Sequence, residues 1–153
     1  MKSLELRIPP PIVALLIAGG MWAVSYFSVR IEVPEPVRLF GAIALALIGG
    51  GMAFSGARAF RMVKTTINPL TPEETSAFVN TGIYAFTRNP MYLGLLFVLV
   101  GWSFFLACTW SLLGLPCFVL YIGRFQIAPE ERMLEKLFGE DYSNYRRKVR
   151  RWL

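Results

Sequence analysis

The sequence predicts an all-α integral membrane protein, a bundle of four transmembrane helices with a cytoplasmic, interfacial C-terminal helix. Two observations lead to this fold class. The 153 residues are 55% hydrophobic and 17% charged, whereas soluble globular proteins are about 45 to 50% apolar and about 25% charged. Three long stretches, of 22, 19 and 35 residues, also contain no charged residue at all. The length suits one domain, so we treat residues 1–153 as a single unit.

The three uncharged stretches cover residues 8–29, 39–57 and 89–123. A bilayer core about 30 Å thick is crossed by about 20 helical residues. The first two stretches therefore predict one helix each. The third would extend about 52 Å as a single helix, so it predicts two helices, joined by a tight turn near residues 108–111 and with a kink at Pro116 in the second. The predicted membrane helices span about residues 9–29, 38–58, 90–108 and 111–127.

The positive charges orient this bundle. Four helices place both termini on the same side of the membrane, and all but two of the 16 Lys and Arg residues lie on that side. The exceptions, Arg30 and Arg38, share one short loop on the other side. The positive-inside rule therefore predicts that both termini are cytoplasmic. We expect the protein to be integral to a bacterial or archaeal cytoplasmic membrane. This explains the net charge of +6 by topology and contact with membrane lipid, so no nucleic acid partner is expected.

Two polar segments lie on the cytoplasmic side. In the first, Thr71 can cap a helix that has Pro72 in its first turn and Glu74 three residues after the cap, which predicts a short interfacial helix over residues 72–80. In the second, the tail at residues 128–153, Pro129 predicts the start of an amphipathic helix that is interrupted at Gly139. We expect this tail to lie along the membrane surface.

Residues with chemical potential collect where the third helix begins and the fourth ends. Those at the start of the third helix are Tyr84, Arg88, Asn89, Pro90, Tyr92 and Gly94. The hairpin returns Arg124, Glu130 and Glu131 to the same cytoplasmic level. Two arginines, a carboxylate pair, an amide and phenols suit a small zwitterionic ligand with amino and carboxylate ends. With no histidine and two cysteines, Cys/His zinc patterns and histidine-based triads are excluded, and no metal site is expected.

Taken singly, these residues also suit purely structural roles. Arg88 can anchor a helix end at the interface, Pro90 can occupy a first helical turn, and Gly94 can allow close helix packing. Glu130 and Glu131 can complement the dipole at the start of a helix. Only the combination is specific.

The order of the motifs resembles a known family. They are Gly82-x-Tyr84, Arg88-Asn89-Pro90-Met91-Tyr92-Leu93-Gly94, Glu130-Glu131, Phe138-Gly139-x-x-Tyr142, Tyr145 and Arg151-Trp152. This set, within residues 65–152, resembles the isoprenylcysteine carboxyl methyltransferase family and its relatives, the phospholipid N-methyltransferases. The resemblance implies an integral membrane methyltransferase that binds S-adenosylmethionine at the cytoplasmic face and methylates a lipophilic small molecule arriving from the bilayer.

The resemblance also implies roles for individual residues. The cofactor contacts it implies are Tyr84, Arg88, Asn89, Pro90, Tyr92, Gly94 and Glu130. Glu130 is expected to receive the cofactor's ammonium group. Asn89 stands where the family has histidine, which favours ligand positioning over proton transfer because an amide cannot take up a proton. Arg124 falls where the eukaryotic carboxyl methyltransferases carry an arginine implicated at the substrate.

The absence of histidine bears on the methyl acceptor. A carboxylate has a pKa of about 4 and needs no base, whereas an ammonium or a thiol must first lose a proton. This favours carboxyl O-methylation, and the resemblance implies a prenylcysteine-like acceptor. Tyr84, Tyr92 or Glu131 are candidate bases, so a phospholipid, a small amine or a thiol stays as an alternative acceptor. A non-catalytic membrane scaffold of the same fold is the competing hypothesis, and the oligomeric state is left open.

Overall fold

The computed structural model describes residues 5–63 and 79–153. Five α-helices lie in these two ranges, and the described residues form no strand, which confirms the all-α class. The helices are α1 (Pro10–Tyr26), α2 (Glu35–Val63), α3 (Pro90–Leu106), α4 (Gly114–Ile122) and α5 (Ala128–Lys148). The shorter elements are 3-10 turns at Gly82–Ala85 and Thr109–Leu113 and a π turn at Gly123–Ile127. Most of the helix predicted over residues 72–80 lies outside the described ranges, and its last two residues, Val79 and Asn80, are not helical.

Within the described ranges, two helical segments are long and apolar enough to cross a membrane. They are Glu35–Met62 and Thr109–Lys148, which contain 18-residue windows with mean hydropathies of 1.8 and 1.4 respectively. Two further apolar helices, Pro10–Tyr26 and Pro90–Leu106, are shorter. The four apolar segments overlap the four predicted from the uncharged stretches, and the number that span the bilayer stays a prediction.

The helix ends differ from the prediction because charges mark the edge of an apolar stretch and not the end of a helix. Helix α2 was expected over residues 38–58 but covers Glu35–Val63. Glu35 and Pro36 suit the first turn of a helix, where a negative charge meets the positive end of the dipole and proline loses no hydrogen bond. At its other end the helix continues past Arg58 and Arg61, which are good helix formers.

The hairpin between α3 and α4 turns near the predicted position. Ala107 has the left-handed conformation (φ 48°), and its N–H donates to the last carbonyls of α3. Cys108 is extended and leads into the 3-10 turn. Pro116 lies in the first turn of α4, where its missing N–H removes no hydrogen bond of that helix, and the kink expected there stays a prediction.

The irregularity of this arm lies further along, in the π turn Gly123–Ile127. Helix α5 was expected to start separately at Pro129, but the helical path continues through the π turn into α5. The wider turn accommodates Pro129, which has no N–H to donate to Phe125 four residues earlier. The interruption predicted at Gly139 is confirmed, since its φ of 50° and ψ of −118° are not helical.

Helices α2 and α3 pack closely through glycines on their facing sides. A Cβ atom at Gly49 would overlap the carbonyl oxygen of Gly94, and one at Gly94 would overlap the carbonyl oxygen of Gly49. Further along, a Cβ on Gly101 would lie 2.9 Å from the carbonyl oxygen of Ala42. Small residues let backbones approach in this way when there is little hydrophobic driving force between helices. Gly94 therefore has a packing role in the described fold.

Replacing Gly49 by alanine is expected to destabilise the protein by about 1 to 3 kcal/mol, the usual cost of overpacking a tight contact. The obstacle is backbone on a neighbouring helix, which cannot rotate away. Gly50 is the matched control, because nothing lies within 4 Å of a Cβ built there and alanine favours a helix by about 1 kcal/mol over glycine. Unfolding of both variants in one detergent measures the difference. Equal stabilities would contradict the close α2–α3 contact.

The core brings the start of α3 and the start of α5 together. Helix α1 packs against α3 and α4, and the Trp102 indole N–H donates to the carbonyl of Ala18 at 3.0 Å. The buried cluster joins apolar residues of α1, α3 and α4 with Ile127 of the π turn, and Trp152 of the tail packs against it. This packing places the start of α3, the start of α5 and the C-terminal tail beside one another.

Candidate functional site

The site is built around Glu131, in the first turn of α5. Its Oε1 lies 3.0 Å from Nη1 of Arg88 and accepts a hydrogen bond from Nε of Arg151 at 3.1 Å. Its Oε2 accepts a second bond from Nη2 of Arg151 at 2.5 Å. The Arg88 and Glu131 side chains are each only 10% exposed. One carboxylate thus binds two guanidinium groups, which come from the residues before α3 and from the tail.

Backbone contacts hold the tail in this position. The N–H of Arg88 donates to the carbonyl of Arg150 at 3.0 Å. The side-chain amide of Asn89 donates to the carbonyl of Arg151 at 2.9 Å. The Tyr145 hydroxyl donates to the carbonyl of Tyr84 at 2.7 Å, in a buried position. The residues just before α3 therefore bind the tail, and the Asn89 side chain holds the backbone of Arg151 in place.

A second polar contact joins α3 to α5. The Tyr92 hydroxyl donates a hydrogen bond to the carboxylate of Glu130. Tyr92 is buried and Glu130 is partly buried. Pro90 starts α3 two residues earlier, at a position where proline suits a helix. Glu130 is therefore bound by the neutral phenol of Tyr92, whereas Glu131 is bound by the guanidinium groups of Arg88 and Arg151.

Burial and hydrogen bonds shift the pKa values of groups in the site, and burial raises the pKa of the Glu130 carboxyl to about 8. The pKa of the Tyr84 phenol is raised, first by burial and then by the neighbouring Tyr145 and Glu130. Its ring also packs edge-on against Phe60, with centroids 5.5 Å apart. The pKa of the Arg151 guanidinium is raised, mainly by its hydrogen bonds to Glu131. Tyr84 is thus a neutral phenol and Arg151 a cation at physiological pH.

Arg88 retains an unused donor. Its buried Nε has no hydrogen-bond partner among residues 5–63 and 79–153. A buried guanidinium nitrogen without an acceptor is costly, and a carboxylate or phosphate oxygen is its usual partner. The site therefore has the capacity to bind an anionic group beside Glu130 and Glu131.

Comparison with known proteins agrees with this arrangement. The family model described as phospholipid methyltransferase matches residues 37–141, more than half of the chain. The chain belongs to the phospholipid methyltransferase family. Membership indicates a membrane methyltransferase with a lipid-related substrate. A protein of Haemophilus influenzae, named "Uncharacterized protein", is 49% identical over 63 residues, which are 41% of this chain and 100% of that protein. No solved structure matches.

The structure of this phospholipid methyltransferase family member brings most of the predicted site residues together. Around Glu131 it gathers Tyr84, Arg88, Asn89, Pro90, Tyr92 and Glu130. Arg124 has a different partner, because its Nη1 lies 3.0 Å from Oε1 of Glu5. The Arg124 side chain is 48% exposed, so it lies at the surface while Glu131 is buried.

Two residues with defined polar contacts in or near the candidate site were not predicted as site residues. Arg151 was noticed only as part of the basic C-terminal motif, and its pairing depends on a tail that folds back to Arg88. Gln126 is fully buried, and its Nε2 donates to the carbonyl of Ile8 at 2.7 Å. The sequence feature that could have indicated Gln126 is the presence of a polar amide at the end of an apolar segment.

Proposed function

We propose that this methyltransferase transfers the methyl group of S-adenosylmethionine to a lipophilic small molecule at the cytoplasmic face of the membrane. The preferred reaction is carboxyl O-methylation of a prenylcysteine-like acceptor. The arrangement of Arg88, Glu131 and Arg151 beside the Tyr92–Glu130 contact carries the proposal. It sets cationic and anionic groups side by side, as the two ends of an amino acid require.

The residues fit the amino-acid end of this cofactor. Arg88 offers a buried Nε without a partner in the described part of the chain, which suits the cofactor's carboxylate. Glu130 accepts only one described side-chain hydrogen bond, from the neutral hydroxyl of Tyr92, and its carboxylate can also receive an ammonium group. When bound, S-adenosylmethionine supplies a methyl group on a sulfonium, ready for in-line displacement.

The contribution of the protein is to position the reactants and exclude water. Alignment of reacting atoms at about 3 to 3.5 Å supplies much of the rate enhancement of such a reaction. Glu131 holds Arg88 and Arg151 with both of its oxygens, which is a positioning role. Tyr92 orients Glu130, and Asn89 keeps the tail that carries Arg151 over the site. Pro90 and Gly94 support the start of α3 on which these groups sit.

The acceptor is assigned from the state of two candidate bases among the described residues, Tyr84 and Glu131. Tyr84 stays protonated because burial raises its pKa, and both oxygens of Glu131 are engaged by guanidinium groups. A carboxylate acceptor needs no proton removal, whereas an amine or thiol does. We assign Arg124 to the acceptor, because a half-exposed guanidinium next to the membrane can hold an anionic oxygen in line.

A second candidate is a phospholipid, or a small amine or thiol. The description of the matching family favours it, since that family is named for phospholipid methylation. A non-catalytic membrane scaffold of the same fold is the alternative from outside the enzymes. We propose that the protein lies in a bacterial or archaeal cytoplasmic membrane with both termini cytoplasmic. A reporter fused after Leu153 should therefore signal from the cytoplasm, and a signal from the exterior would contradict this topology.

Binding of S-adenosylmethionine separates the enzyme from the scaffold. We expect titration calorimetry on the purified protein in detergent to detect saturable binding with one molecule per site. S-adenosylhomocysteine, which keeps the amino-acid end, should compete, and methylthioadenosine, which lacks that end, should compete much less. Absence of binding by a folded protein would favour the scaffold. Equal competition by both analogues would indicate that Arg88 and Glu130 do not bind the cofactor's amino-acid end.

A further inference from the structure

We call residues 5–8, which precede α1, the strap. The strap lies across the π turn at Gly123–Ile127. The N–H of Leu6 donates to the carbonyl of Phe125 at 3.0 Å. The amide of the fully buried Gln126 donates to the carbonyl of Ile8 at 2.7 Å. Two hydrogen bonds thus attach the strap to consecutive residues of the turn.

The sequence explains why the turn accepts the strap. Pro129 has no N–H, so it cannot donate to the carbonyl of Phe125, which is the usual acceptor four residues earlier in a helix. The strap satisfies that carbonyl with the N–H of Leu6. Leu6 itself has a φ of 57°, a left-handed conformation that is unfavourable for a leucine. The strap is therefore held by its contacts and not by its own preference.

Glu5 uses this position to bind two arginines. Its Oε1 lies 3.0 Å from Nη1 of Arg124, and its Oε2 lies 2.5 Å from Nη2 of Arg132. The Glu5 side chain is 15% exposed, while those of Arg124 and Arg132 are 48% and 54% exposed. Each carboxylate oxygen therefore has its own guanidinium group. The same two groups can bind two oxygens of any carboxylate or phosphate that reaches them.

We infer that Arg124 and Arg132 form a binding site for the anionic headgroup of the methyl acceptor, and that Glu5 occupies this site until the acceptor displaces it. The inference rests on the proposed function and adds to it an acceptor with an anionic headgroup and a competitor within the chain. The exchange is one of ion pairs, so no covalent bond changes. The exposed sides of both arginines let an amphiphile at the membrane surface approach while Glu5 is still bound.

Replacement of Glu5 tests the inference through binding. Glu5→Gln keeps the size of the side chain and removes its charge. We expect purified Glu5→Gln protein to bind a prenylcysteine carboxylate, or a lysophosphatidate, about tenfold more tightly than the unaltered protein. Arg132→Gln should bind the same probe at least several-fold more weakly. The prenylcysteine methyl ester, which has no anionic group, should bind all three proteins equally. Comparing the two anionic probes distinguishes a carboxylate headgroup from a phosphate.

Glu135→Gln is the matched control. Glu135 pairs with Arg146 on the same helix at 3.4 Å, and both side chains are about half exposed. The substitution Glu135→Gln removes one surface charge at a site away from the strap, so it should leave the affinity for the anionic probes unchanged. Thermal unfolding of every variant verifies that it is folded. Arg132→Gln tests the site while leaving in place the two hydrogen bonds that join the strap to the turn.

Two results would overturn the inference. One is unchanged affinity of folded Glu5→Gln protein for both anions. The other is an equal gain in Glu135→Gln, which would indicate general surface charge. Labelled methyl transfer by the unaltered protein is measured alongside. If transfer occurs while Glu5→Gln binds normally, the strap proposal alone fails, and if no acceptor is methylated, the proposed function fails.

Discussion

Replacing Glu131 by glutamine is expected to lower the free energy of unfolding by about 3 to 5 kcal/mol, the cost of removing one partner from a buried ion pair. Arg88 is 10% exposed and keeps its charge, so the substitution leaves a buried cation without a counter-charge. Arg151 is 41% exposed and regains part of its hydration. Most of the loss therefore comes from Arg88, and the tail should detach from the start of α3.

Denaturant titration of the two proteins in the same detergent measures this loss. Glu135→Gln is again the control, because exposed pairs such as Glu135–Arg146 contribute about 0 to 1 kcal/mol. Hydrogen exchange at Arg88 should also rise, since its N–H is bonded to the carbonyl of Arg150. If Glu131→Gln is no less stable than Glu135→Gln, Glu131 does not hold the site together.

Replacing Glu130 by glutamine is expected to weaken S-adenosylmethionine binding by about 3 to 5 kcal/mol, or roughly two to four orders of magnitude in Kd. A desolvated ammonium group would lose its charged acceptor. Tyr92→Phe should have a smaller effect, because it removes a hydrogen bond that orients Glu130 but leaves the charge. Such bonds to charged groups contribute about 1.5 to 3 kcal/mol.

Calorimetry on folded variants checks the order of these effects. A negative charge that only complements the start of a helix contributes about 0.3 to 1 kcal/mol to stability. Unchanged affinity in Glu130→Gln would therefore limit Glu130 to that structural role. A larger effect from Tyr92→Phe than from Glu130→Gln would indicate that the phenol contacts the ligand directly.

The apolar segments could be predicted from the sequence because an uncharged stretch of about 20 residues matches the thickness of a bilayer core. The residues at the ends of helices were harder to predict. The sequence predicts a helix start at Pro129, since proline favours first turns, but the π turn accommodates its missing N–H and the helical path continues. The extension of α2 beyond residue 58 was missed because arginines mark the bilayer edge and do not stop a helix.

The candidate site was predictable where its residues are neighbours in sequence. Arg88 to Tyr92 and the pair Glu130–Glu131 form local motifs, and one hairpin brings them together. The partners Arg151 and Glu5 come from the two ends of the chain, and their places depend on tertiary contacts that no local pattern encodes. Asn89 was expected at the cofactor, whereas its described contact is with the backbone of Arg151.

The most direct test of the proposed reaction is methyl transfer itself. The purified protein is incubated with S-adenosylmethionine labelled on its methyl group and with a lipid extract, and mass spectrometry identifies every molecule that gains the label. We predict a labelled lipophilic product whose methyl group is released by mild base, as expected for a carboxyl ester. A base-stable label would contradict carboxyl methylation and indicate an amine or thiol acceptor. Saturable cofactor binding with no labelled product in any extract would contradict the claim that the protein is a methyltransferase for a membrane lipophile.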